Sequence, residues 1–502
     1  MTNEAYIRDG WHHINVWLNW LTLHLSKARL DCNIQTMSTK LNKSKKTLYT
    51  FIVLALIFVM LLIFVPRFIV GKRETINLLK GRELQLNYVW AGEGKTGYND
   101  TVPLKENLKE RTVFEGDPPI WNPSYSLGIY APFFSTPPIF YNGVLYFGDT
   151  RGYFYAVNPT EGKTIWKQDV GLDEQELNPV FITPPIILDD VIFFGRWSTL
   201  IGLDLHIGQF VYKQEINDIP TGHITGIGFQ NGNIIVTQVS NLKARSYIFW
   251  IEPKTGKIVS RFTPTISSTN AITGETVQNA PVTNIEGPLT SNGYALFYNP
   301  NFGHMFCFDA KERKLVWKKS QTEQNPESRD WFFCVSNGKV FSTAWSYSSL
   351  TVASYDMTNG NLLWKANFED KIEESVRDLY ISRPGYYFNA FISTDGRNVY
   401  CGDSFGNIFS VDSATGDLNW QLKSLGFVRG ERFANIKPMI SKDTLYLIAQ
   451  DKDDSSFVYA IDTETSKIIW KYPLSKESVF PVEVADGKIY FEDGLCIKEL
   501  SN

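Results

Sequence analysis

AVNPTEGKTIW (residues 156–166), GLDLHIGQFVY (202–212), WIEPKTGKIVS (250–260), CFDAKERKLVW (307–317), SYDMTNGNLLW (354–364), SVDSATGDLNW (410–420) and AIDTETSKIIW (460–470) are seven forms of one pattern. Its third position is an acid or amide throughout: Asn158, Asp204, Glu252, Asp309, Asp356, Asp412 and Asp462. Eight residues later stands Trp166, Tyr212, Ser260, Trp317, Trp364, Trp420 or Trp470. A glycine follows the acid by four positions, except where Arg313 and Ser466 replace it. Asp, Asn and Gly at these offsets specify a tight turn, with the acid's oxygens accepting nearby backbone N–H groups. Such a turn fixes the register of the strand after it, so the terminal aromatic has a set position and face.

The copies recur about every 51 residues, the length of a four-stranded propeller blade with its loops. Each turn is preceded by strand, turn and strand, as in GVLYFGDTRGYFYAV (143–157) and NVYCGDSFGNIFSV (398–411). Further upstream stand inner-strand signals at 183–187, 287–289, 437–440 and 480–484. The pattern predicts an all-β, eight-bladed β-propeller in which Trp166, Tyr212, Trp317, Trp364, Trp420 and Trp470 wedge between neighbouring blades. Burying one such ring is worth about 2–3 kcal/mol. Ser260 supplies no ring, so the contact after the third blade is expected to be the loosest. Repeats of the WD type are shorter, about 40–45 residues, and no WD dipeptide occurs. After Trp470 enough chain remains for three strands, while LKERTVFEGD (108–117) reads as a fourth with Phe114 in the wedge position. The eighth blade is therefore expected to be split, with the two ends of the ring paired.

Composition agrees. The chain has 502 residues, 43% hydrophobic, 20% charged and 14% aromatic, which excludes a mainly disordered or fibrous protein. Lys plus Arg number 49 against 53 Asp plus Glu, a net charge of −4 that gives no general attraction for nucleic acid. The five cysteines (Cys32, Cys307, Cys334, Cys401, Cys496) form no CxxC, CxxCH or adjacent pair, so no zinc ribbon or haem attachment is written. His12, His13 and His24 have no carboxylate or cysteine framework around them and are not read as ligands.

TLYTFIVLALIFVMLLIFV (47–65) carries no charge, Gly or Pro and is long enough to cross a hydrocarbon core as a helix. No A-x-A site follows it, which favours an uncleaved anchor over a signal peptide. Lysines before the segment and basic residues after it nearly balance, so charge does not set orientation. A single early anchor with a long tail places the large C-terminal part outside the cytoplasm, as a single-pass inner-membrane protein with its propeller in the periplasm. The expected layout is 1–46 as an N-terminal segment, 47–70 as a transmembrane signal anchor, 71–107 as tether and lead-in, and 108–502 as the propeller. Met37 opens a second conventional anchor layout and is an alternative start.

The A-x-D-x-x-x-G-x-x-x-W pattern resembles the tryptophan-docking repeat of pyrroloquinoline-quinone-type (PQQ-like) propellers, over residues 85–502. Two branches of that resemblance imply different functions. Quinoprotein dehydrogenases hold the quinone in the central funnel beneath a disulfide of adjacent cysteines, with calcium and an Asp base. No adjacent cysteine pair exists here, and no catalytic, cofactor-binding or metal residue is nominated. The chain is more similar to the barrel-assembly scaffold (BamB-like) branch of the outer membrane, which is non-catalytic. That branch is held by lipid, whereas here Cys32 precedes the apolar segment and direct lipidation is not expected.

The expected function is thus a membrane-anchored scaffold for other envelope proteins, with no cofactor; the alternative is a PQQ- and calcium-dependent dehydrogenase or other small-ligand propeller. Blade-to-blade loops share a face with the turns between second and third strands. On that face the sequence places Trp121, Tyr125, Arg196, Trp197, Trp345, Arg383, Tyr386, Tyr387, Arg429 and Arg432 as candidate partner-binding residues. Exposed aromatics beside arginine are the material of interface hot spots. DKDDSS (451–456) lacks the glycine of a calcium loop and reads as a solvated acidic turn.

Overall fold

The computed structural model describes residues 76–79, 88–90, 98–99, 108–116, 136–149, 151–171, 183–216, 222–240, 245–269, 276–320, 329–346, 349–369, 391–402, 407–423, 438–450, 455–475 and 482–502. The chain divides into two compact units, Met1–Arg73 and Glu74–Asn502, and every described residue belongs to the second. The expected anchor at 47–70 and the segment before it lie outside the described residues. No helix among the described residues is long and apolar enough to cross a membrane.

The second unit is all-β: eight antiparallel sheets with a four-stranded core each, the blades of a β-propeller. Blade 1 is Ile139–Tyr141, Val144–Gly148, Tyr153–Asn158 and Lys163–Asp169, from the axis outward. Blade 2 is Ile186–Leu188, Val191–Arg196, Thr199–Asp204 and Phe210–Glu215. Blades 3 to 7 repeat the order over 222–262, 286–320, 329–369, 391–422 and 439–473. Blade 8 joins Glu483–Ala485, Lys488–Asp493 and Cys496–Ser501 to Lys109–Glu115, so its outermost strand comes from far earlier in the chain. A separate hairpin, Thr265–Thr269 with Thr276–Pro281, lies between blades 3 and 4.

The turn chemistry is local and repeats. The side chain of Asn158 accepts from the N–H groups of Thr160 and Glu161, and Asp204, Asp309, Asp412 and Asp462 accept from the residues two and three ahead in the same way. Arg313 and Ser466, the departures from glycine, adopt the same left-handed backbone, at φ 55° and 60°. In blades 1, 3, 4, 5 and 8 the first and second strands join through Asn-Gly or Asp-Gly pairs such as Asn142–Gly143 and Asn231–Gly232, both residues at positive φ, as a hairpin turn matched to strand twist requires.

Register carries the repeat from turn to ring. In all eight blades a β-bulge on the outer strand immediately precedes the wedge position: Ala156 pairs Trp166, Gly202 pairs Tyr212, Trp250 pairs Ser260, Cys307 pairs Trp317, Ser354 pairs Trp364, Ser410 pairs Trp420, Ala460 pairs Trp470 and Ile497 pairs Phe114. A bulge adds one residue and re-aims the side chain after it.

Buried apolar side chains form eight clusters, each shared by two successive blades. The ring is therefore cemented at its boundaries. Trp166, Trp364 and Trp470 are each 9% exposed within them. The indole N–H of Trp166 donates to Leu205 O (2.8 Å), that of Trp317 to Met357 O (2.9 Å), that of Trp364 to Ser413 O (3.1 Å) and that of Trp420 to Thr463 O (2.6 Å). Each acceptor is the residue after the next blade's turn acid. Trp470 packs against Tyr446 in the cluster between blades 7 and 8.

Three boundaries use other chemistry. Tyr212 donates its hydroxyl to Gln214, whose amide donates to Gly256 O of blade 3 (2.7 Å). At Ser260 the expectation of a loose contact is corrected. Trp250, on the neighbouring strand, is fully buried with its ring 5.3 Å from Phe308 and 6.1 Å from Phe297 of blade 4. Phe262, two positions past Ser260, meets Phe308 edge-on at 4.9 Å. The rings missing from the wedge position are supplied by its neighbours. Between blades 8 and 1, Phe114 packs on Phe147 and Tyr155 and has no N–H to give. Arg111 donates to Pro159 O and to Thr160 O (2.7 Å) instead.

Candidate docking face and channel

Turns between second and third strands gather on one face of the ring. Trp197 sits at the tip of this turn in blade 2, at φ 48°, a backbone region that bulky residues rarely adopt. Its carbonyl accepts from Ile224 N of blade 3 (2.6 Å), which ties the turn to the next blade. Arg196 is half-buried beside it, its guanidinium reaching Gly171 at the exit of blade 1. Trp345 lies one residue before the end of the second strand of blade 5, paired with Leu350 across the turn. Arg196 and Trp197 are thus together on blade 2 and Trp345 is three blades away. Trp121, Tyr125, Arg383, Tyr386, Tyr387, Arg429 and Arg432 lie outside the described residues.

The sequence reading missed Phe302, in the corresponding turn of blade 4. Its ring is 53% exposed and stacks on His304 at 5.8 Å, and its N–H is held by Asn299 Oδ1 (2.9 Å). Burial pushes His304 down to about 4, so its ring is neutral at pH 7, and Nδ1 pairs with Ser320 Oγ at 3.0 Å. The signal was the NPNFGH turn (299–304), whose Asn and Gly announce a tip that leaves Phe302 outward. Trp197 on blade 2, the hairpin after blade 3 and Phe302 on blade 4 occupy successive blades of this face.

The same face on blade 1 holds a buried carboxylate. Asp149 accepts from the N–H groups of Arg151 (3.0 Å) and Tyr153 (2.8 Å) and from the Tyr155 hydroxyl (2.8 Å), with Arg151 Nε at 3.3 Å. Burial first, then Asp149, raises the Tyr155 hydroxyl well above its usual range. Every partner is internal to the turn, so this cluster shapes the loop and leaves no general base facing solvent.

The channel has a different lining. Tyr88–Trp90 pairs antiparallel with Ile186–Leu188, the innermost strand of blade 2, and Tyr98–Asn99 pairs parallel with Met439–Ser441, the innermost strand of blade 7. A quinone with calcium needs a cluster of oxygen ligands and an open seat. Among the described residues no group of three or more His, Cys, Asp or Glu is placed to hold a metal ion. Cys307, Cys334 and Cys401 are buried within separate strands.

Comparison with known proteins follows this geometry. Residues 244–450, from blade 3 into blade 7, match the family model described as outer membrane protein assembly factor BamB. Within that range the repeats resemble the PQQ-like type. A search of the curated proteins finds no match. Among solved structures, the chain is similar to the computationally designed Ika8 protein, at a TM-score of 0.52 and 11% identity over 78% of this chain and 99% of that one. It is similar to quinohemoprotein alcohol dehydrogenase from Comamonas testosteroni, at 0.51 and 12% over 81% and 78%. BamB from Moraxella catarrhalis aligns at 0.48 and 15% over 73% and 96%. At these identities the first two likenesses show the propeller fold alone.

Proposed function

We propose that this chain is a non-catalytic scaffold that binds other envelope proteins through the face carrying Trp197 and Phe302, in envelope or outer-membrane protein assembly. The observation that carries this reading is the match of residues 244–450 to the assembly-factor family model. It is supported by a rim that presents aromatic tips on blades 2 and 4, Trp197 and Phe302, and by carboxylates engaged in turns. In the proposal the apolar segment 47–65 anchors the protein in the inner membrane by a single pass and the ring lies in the periplasm. The runner-up is a quinoprotein dehydrogenase, whose ring has the same fold.

Site-specific photo-crosslinking in cells tests the scaffold. Probes at Trp197, Phe302 and Arg429 are expected to capture partners, and probes at Ile165 and Leu418, exposed on outer strands, to capture none. Reversal of Arg429 and Arg432 to Glu is expected to remove adducts on that face. Equal capture around the whole ring overturns the proposal. Cofactor absorbance with a thermal shift, on adding quinone and calcium to purified protein, transfers support to the dehydrogenase.

A further inference from the structure

The segment between the expected anchor and the first blade is part of the ring in four places. Ile76–Asn77 adds a strand outside blade 2, with Asn77 opposite Tyr212. Asn77 Nδ2 donates to Lys254 O (3.2 Å) and, at 3.5 Å, to Pro253 O. Pro253 follows the turn acid Glu252, so its carbonyl is the acceptor that an indole takes at other boundaries. Tyr212 has no indole, and the lead-in supplies the donor. Leu79 is fully buried in the cluster between blades 2 and 3.

Nine residues on, Tyr88–Trp90 lies at the inner edge of the same blade. The two added strands are five strand spacings apart, about 24 Å at ~4.8 Å each. Tyr98–Asn99 then pairs with the inner edge of blade 7, and Lys109–Glu115 completes blade 8. One short stretch therefore touches blades 2, 7 and 8, on both sides of the seam where the ring closes.

We propose that the strands Ile76–Asn77, Tyr88–Trp90 and Tyr98–Asn99 act as an internal strap, the last two occupying the channel edges of blades 2 and 7, barring a planar cofactor while bracing the seam. An innermost strand presents unpaired N–H and C=O groups to the channel. Pairing satisfies them on blades 2 and 7 and brings the lining about 4.8 Å nearer the axis at each. The proposal is independent of any partner on the rim.

The full chain carrying Val89→Cys with Ile187→Cys, which are register partners, is oxidised under native conditions and mapped by mass spectrometry. The 89–187 disulfide is expected to predominate, and a control pair, Val89→Cys with Ile392→Cys of blade 6, to stay reduced. Hydrogen exchange on the unsubstituted chain gives a second reading that needs no variant to fold. Amides of 186–188 and 439–441 are expected to be protected like those of the strands behind them, and Val89→Pro to release those of 186–188 at least ~10-fold. Equal crosslinking of the control, or rapid exchange at both inner strands in the unsubstituted chain, overturns the strap. Quinone and calcium are the probe of the channel: binding with the 89–187 disulfide closed overturns the barring role, whereas binding only after Val89→Pro supports it. Loss of rim crosslinks with the strap intact would count against the scaffold alone.

Discussion

The guanidinium of Arg111 donates to the carbonyl of Pro159, the acceptor position that an indole occupies at four other boundaries. Arg111 also pairs with the buried Glu499 at 3.0 Å, on the C-terminal strand that closes blade 8. One side chain thus joins the outermost strand, the last strand and the first blade.

Arg111→Met is expected to destabilise the ring by about 1–2 kcal/mol, the lower part of the range for charged hydrogen bonds because Arg111 is 40% exposed. Urea titration measures the loss. Hydrogen exchange should show Cys496–Ser501 opening before blades 4 and 5. An unchanged midpoint would assign closure to the apolar cluster around Phe114 and Tyr490.

Gly360 and Gly416 stand at φ 71° and 79°, and a Cβ on them would lie 2.7 and 2.5 Å from the rings of Trp317 and Trp364. Gly232 has a similar φ of 76° and open space around it. Gly232→Ala should cost about 1–2 kcal/mol from backbone strain alone. Gly360→Ala and Gly416→Ala should cost a further ~1–3 kcal/mol, because the indole must move. Thermal melts of the three variants give the comparison, and equal losses would mean that the rings yield freely.

Tyr212 and Gln214 act as one relay to Gly256. Tyr212→Phe and Gln214→Ala should each cost about 1 kcal/mol, and the double variant less than their sum by ~0.5–1 kcal/mol. Additive losses in a double-mutant cycle would separate the two residues.

Acid should loosen the seam and the turns together. Burial opposes ionisation of Glu110, but hydrogen bonds from Tyr472 and Lys498 hold its carboxyl below the ordinary 4.5. Thr358 holds Asp356, and backbone N–H groups hold Asp412, below 3.8. A depressed acid adds stability above its unfolded value and loses it as pH falls through the folded one. Lys498 runs the other way: burial lowers it, yet Asp493 and Glu110 raise it overall, so its contribution persists below 10.5 and fades at higher pH. Melting temperature should therefore hold between about pH 5 and 10 and fall below pH 4.5, less so in Glu110→Gln. A fall that Glu110→Gln leaves unchanged would place the acid-sensitive group elsewhere.

The architecture was legible because its signal is local. An acid, a left-handed residue and an aromatic eight positions past the acid specify turn, bulge and wedge within one hairpin, and seven copies fix the repeat length. The boundary donors were not legible. Asn77, Gln214 and Arg111 have meaning only once a neighbouring blade brings a carbonyl to them, and no spacing within a repeat records that. The loose contact expected at Ser260 failed for the same reason: Trp250 and Phe262 fill the gap from adjacent positions. The channel strands are two and three residues long with partners about a hundred residues or more away, too short for any periodicity to reveal. On the rim, Phe302 was overlooked because a lone aromatic in a turn looks like a packing residue until its exposure is known.

The strand that ends blade 8 is synthesised long before its partner, since Arg111 and Glu499 stand 388 residues apart. Until Cys496–Ser501 leaves the ribosome, Lys109–Glu115 is a bare ribbon edge able to recruit any other extended chain. Products that stop short of Cys496 keep that edge unpaired, open to pairing with another extended chain.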